Sequence, residues 1–90
     1  MNTQALSVHV LVALVNAQME GRRLDLEELV QALHVRRGDI RKVVSALHRE
    51  GFVDALRMRP TLAGFALGRS YASQPLPVLR RPRLALVAAA

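Results

Sequence analysis

The stretch VRRGDIRKVVSALHREGF, residues 35–52, gathers the side chains best suited to act on another molecule. It holds Arg36, Arg37, Arg41, Lys42 and Arg49, with His48 as a further basic group. At the helical period, Ile40, Val43, Val44 and Leu47 share one side, and Arg37, Gly38, Arg41, Lys42, Ser45, His48 and Arg49 share the other. A face of this kind binds polyanions. Guanidinium groups donate to phosphate oxygens, and a fixed Arg bonds the O6 and N7 of guanine with two donors. Arg41 and Ser45 stand where a helix lying in a groove meets base edges, and Gly38 lets its backbone come close. Arg36, Arg37, Lys42 and Arg49, with Arg57 and Arg59 further along, are placed for phosphate; His48 faces phosphate or solvent.

The bland account of such a helix is a solvated face in an Arg-rich protein. Twelve of the thirteen Lys and Arg in the chain are indeed Arg, and the net charge is +6. The charge is nevertheless sorted along the chain. Residues 36–59 hold seven cations and three acids, whereas residues 20–35 hold two cations and four acids. From residue 69 onward come four cations and no acid. A uniform Arg excess does not require that sorting, and a polyanion-binding surface does.

Other chemistries find little support. The absence of cysteine excludes disulfides, thiolate nucleophiles and Cys-type zinc sites, and fits a reducing cytoplasm. His9, His34 and His48 are too scattered for a metal site, and no His lies near a plausible Ser–acid pair. There is no Gly-rich phosphate loop. The expectation is therefore no enzyme, no metal and no cofactor. The apolar run Val8–Val15 is far too short for a bilayer, and the residues before it lack the Lys or Arg of a signal peptide. Pro82 interrupts the one membrane-surface candidate, Arg80, Arg81 and Arg83 beside Leu84, Leu86 and Val87.

These side chains need elements to position them. The chain is 90 residues, 51% apolar and only 3% aromatic, so its core comes from Leu, Val, Ala and Ile, which favours helix on helix. One domain over 1–73 is expected, with 74–90 a Pro- and Arg-containing tail or an added strand. A first helix spans 4–19, and its apolar arc is wider than one buried face needs. That breadth points to a second subunit, with Leu6, Val8, Val10, Leu11, Val12 and Val15 in the interface, joined by Tyr71. Asp25 and Glu28 make a capping box for a second helix of about nine residues. His34 to Arg36 form a turn, and a third helix runs over 37–49 until Gly51 supplies a left-handed stop. Arg36 is an unusual N-cap, and Asp39 in the first turn offsets part of that loss. Residues 52–56 read as a strand. Thr61 caps a fourth helix over 62–72, in which Gly64 and Gly68 either weaken the helix or admit a close neighbour.

Helix, short turn, helix, glycine and strand in that order resemble the winged helix-turn-helix of small bacterial transcription regulators, such as those of the MarR and ArsR kind. The residues that carry the resemblance are LDLEELVQALHVRRGDIRKVVSALHREGFV and the later TLAGFAL, about half the chain. Leu47 to Val53 matches the pattern L-x-x-x-G-[LFY]-[VI] that closes the recognition helix in such families. The resemblance implies a mainly α fold with a small β-wing, and a homodimer that binds double-stranded DNA in the cytoplasm, at the nucleoid. The wing is short, with only Arg57 to Pro60 between the strand and Thr61. The other function class open to these residues is a winged helix that binds protein, an adaptor or anti-repressor.

Overall fold

The computed structural model describes residues 3–77 and 79. Four helices and one two-stranded antiparallel sheet follow in the order α1 (Thr3–Met19), α2 (Leu26–Leu33), α3 (Arg37–Arg49), β1 (Val53–Asp54), β2 (Arg59–Pro60) and α4 (Leu62–Ala72). The boundaries are set by short-range chemistry. The Asp25 carboxylate accepts from Glu28 N at 2.8 Å, and Glu28 returns a bond to Asp25 N at 3.2 Å, which closes the expected capping box. Thr61 Oγ1 accepts from Gly64 N at 3.1 Å and caps α4. Each such cap contributes about 1 kcal/mol. Gly21 and Gly51, with φ of +71° and +84°, end α1 and α3 in the same way. The residue after each glycine donates back into the helix: Arg22 N to Ala17 O at 2.8 Å, and Phe52 N to Leu47 O at 2.9 Å.

α1 is the central helix of the molecule. Leu6, Val10, Leu11, Leu14 and Val15 are fully buried among α3, α4 and the residues between them. Leu29 of α2, Ile40 and Val43 of α3, and Val53 of β1 complete the interior. The chain itself therefore accounts for the broad apolar arc of α1. Of the residues assigned to a dimer interface, Leu6, Val10, Leu11, Val12 and Val15 are covered within a single copy and have no surface to offer a second. Only Val8 and Tyr71 remain partly exposed.

α4 covers α1 by coming unusually close. A Cβ at Gly68 would sit 2.5 Å from the Val15 side chain, and one at Gly64 would sit 1.7 Å from the carbonyl oxygen of Phe52. The two glycines, four apart on one face, are a contact surface for α1 and for the loop after α3. After α4 the chain turns back onto α1. His9 Nε2 lies 2.8 Å from Pro77 O, and Leu79 joins the core cluster. His9 is half-buried at this contact. Val78, Arg80, Arg81, Arg83 and the apolar run 84–90 lie outside the described residues.

The strand expected over 52–56 is confined to Val53–Asp54. The Asp54 carboxylate explains why: its Oδ1 accepts from Leu56 N at 3.1 Å and Arg57 N at 3.3 Å, turning the chain at once. Met58, at φ 51°, completes the reversal. β2 then pairs Arg59 with Asp54 and Pro60 with Val53. The hairpin is sealed at its base where Thr61 N donates to Phe52 O at 3.0 Å and Thr61 Oγ1 to Gly51 O at 2.6 Å.

Candidate nucleic-acid interface

The third helix has the two faces that its period predicts. Ile40, Val43, Val44 and Leu47 are buried, and Arg37, Gly38, Arg41, Lys42, Ser45, His48 and Arg49 are exposed. α2 and the three-residue turn His34 to Arg36 hold this helix in place. His34 adopts the left-handed conformation at φ 55° and donates its backbone N–H to Val30 O, while Val35 is buried. The turn is thus anchored from inside, and α3 starts after the N-cap residue Arg36, which offers no side-chain cap.

The cations of this face divide into two groups. Arg36 pairs with Asp39 at 3.2 Å, Arg37 pairs with Glu27 of α2, and Arg57 lies 3.8 Å from Asp54. Arg41, Lys42, Arg49 and Arg59 meet no carboxylate among the described residues. Three of these four project from the exposed arc of α3, and the fourth comes from the hairpin. The pairs of the first group are exposed on the cation side, and pairs of that kind contribute about 0–1 kcal/mol. A phosphate can therefore draw Arg36, Arg37 or Arg57 away at little cost. Asp39 is only 19% exposed and tied to Arg36, so its charge is partly withdrawn from the face.

One residue of this face, His48, makes contacts that differ from the sequence expectation. The sequence points His48 at phosphate or solvent, but its Nδ1 lies 3.1 Å from Val53 O and 3.2 Å from Ala55 N. According to its tautomer, it donates to the carbonyl or accepts from the amide, and either bond ties α3 to the start of the hairpin. His48 is a positioning residue for the hairpin. Gly38 is fully open, with nothing within 4 Å of a Cβ placed there.

The hairpin stands beside this face. Ala55 and Met58 share with Arg41, Val44, Ser45 and Leu26 a depression of about 340 Å³. The two residues assigned to base edges thus look across a shallow hollow at the hairpin turn. Sequence reasoning missed Glu27 as the partner of Arg37, the His48 clamp, and the tip residue Leu56, which is 94% exposed. The first two are tertiary contacts with no local pattern. The third had a signal, an apolar residue between Asp54 and Arg57 in a stretch too short to bury it.

Compared with protein-family models, with curated proteins and with solved structures, the chain matches none.

Proposed function

We propose that the chain is a winged helix-turn-helix that binds double-stranded DNA as a small transcription regulator, with α3 in the major groove. The observation that supports this best is the sorting of α3: Arg41, Lys42 and Arg49, without acidic partners among the described residues, lie opposite Ile40, Val43, Val44 and Leu47. Recognition helices of this kind touch base edges from their N-terminal half, which assigns Arg41 to bases, and Ser45, one turn further along the same exposed side, is assigned with it. Arg36, Arg37, Lys42, Arg49, Arg57 and Arg59 take phosphates. A homodimer would set two such helices on half-sites about 34–36 Å apart. Its contact would involve the partly exposed Val8 and Tyr71.

The test is fluorescence anisotropy of mixed-sequence duplex DNA at two salt concentrations. Six phosphate contacts release enough counterions to weaken binding roughly a thousandfold between about 50 and 200 mM salt. Binding that ignores salt, or no binding at the lower salt, overturns the proposal. A second reading, a protein-binding module, is favoured by one observation. A groove of about 580 Å³ between α1, α3 and α4 is lined by Val8, Phe52, Leu67 and Tyr71, among others. It gains weight only if DNA binding fails.

A further inference from the structure

The hairpin is too short to lay a strand along DNA, yet its tip is built with care. Each strand has two residues, so the turn stands only about 7 Å beyond its base. Asp54 Oδ1 holds the N–H groups of both Leu56 and Arg57, Met58 is fixed in the left-handed region, and His48 clamps the residues on the near side. What this fixed turn presents outermost is an apolar side chain. Leu56 is 94% exposed, with Arg57 next to it and Arg59 three residues on, both exposed. An exposed leucine gains nothing from water, and with two exposed arginines following it in the same hairpin it is ill-suited to a hydrophobic protein surface. It suits a place with charged walls and an apolar floor. The minor groove is one: phosphates line its edges, and sugars and base edges form its floor, about 7.5 Å down.

Resting on the DNA reading above, we infer that Leu56 is a wedge that enters the minor groove next to the α3 site and opens a base step there. The hollow shared by Arg41, Ser45, Ala55 and Met58 puts the tip beside the base-reading face, so both act on one stretch of duplex. Arg57 and Arg59, which follow Leu56 on the returning side of the hairpin, take phosphates at the lip of the groove, and Leu56 packs against the sugars and base edges beside them. Unstacking is easiest at pyrimidine–purine steps such as TpA and hardest in stiff A-tracts. The short hairpin therefore adds selectivity for deformable DNA at a position where it makes no base-specific hydrogen bond.

The experiment compares two end-labelled duplexes by energy transfer, one carrying a TpA step and the other an A-tract at the same position. The wild-type protein is expected to bring the ends closer on the TpA duplex and to bind it roughly fivefold to tenfold more tightly than the A-tract duplex. Leu56→Ala is expected to lose both the bend and the preference while keeping the salt dependence, and Leu56→Met to retain them. Because Leu56 makes almost no contact within the fold, neither change threatens folding. A wild type that binds both duplexes equally and leaves them straight overturns the wedge and leaves the DNA reading standing, as does a Leu56→Ala protein that bends like the wild type. A wild type that binds neither duplex at about 50 mM salt overturns both.

Discussion

Gly64→Ala is expected to destabilise the fold by about 3 kcal/mol, although alanine ordinarily favours a helix over glycine by about 1 kcal/mol. The reason is the 1.7 Å that would separate the new Cβ from the carbonyl oxygen of Phe52. That oxygen is backbone, and it already accepts from Thr61 N at 3.0 Å. It cannot move without pulling the base of the hairpin away from α4. A loss of this size lowers the melting temperature by roughly 12–24 °C in a domain of this length, which circular dichroism reads directly. Gly38→Ala is the matched control. Nothing lies within 4 Å of a Cβ at that site, so the helical preference acts alone and the protein is expected to melt at or slightly above the wild-type temperature. A Gly64→Ala protein as stable as the wild type would mean that α4 does not rest on the Phe52 carbonyl.

Arg41→Ala and the double change Lys42→Ala with Arg49→Ala are expected to weaken DNA binding in different ways. Arg41 looks across the hollow beside Ser45 and meets no carboxylate among the described residues. Its loss should cost about 1–3 kcal/mol on the preferred duplex and much less on others, flattening sequence preference. Lys42 and Arg49 serve phosphate, so the double change should weaken every duplex alike and lower the salt slope by about two. Selection from a random duplex pool, followed by salt titration on the winner, separates the two patterns. An Arg41→Ala protein with unchanged sequence preference would remove Arg41 from the base-reading role.

How far the sequence carries depends on the range of the interaction. Asp25 with Glu28, Thr61 with Gly64, and Gly51 are chemistry within a few residues, and each lies where the sequence puts it. The two faces of α3 were equally legible, because a period of 3.6 residues sorts Ile40, Val43, Val44 and Leu47 from the cations without knowledge of the rest. α1 marks the limit. Periodicity says which positions are apolar but not what covers them. Its broad arc suggested a second subunit, whereas α3, α4 and the returning Leu79 cover it. Gly68 was the signal available for that, since a glycine on a helix permits close approach of a neighbour, here Val15 and Leu11 of α1. The partnership of Arg37 with Glu27 and the hold of His48 on the hairpin depend on how helices cross, and no local pattern encodes them. The strand over 52–56 failed because the Asp54 side chain competes for backbone N–H groups and turns the chain after two residues.

The central claim is that the exposed arc of α3 is the surface that meets DNA. The most direct test is a titration of isotope-labelled protein with a short duplex, followed by amide chemical shifts. The account predicts that the shifts concentrate at Arg37, Gly38, Arg41, Lys42, Ser45 and Arg49 and at the hairpin turn 55–58, with little change along the buried length of α1. Shifts gathered instead at Val8, Leu67 and Tyr71, or none at all, would contradict it.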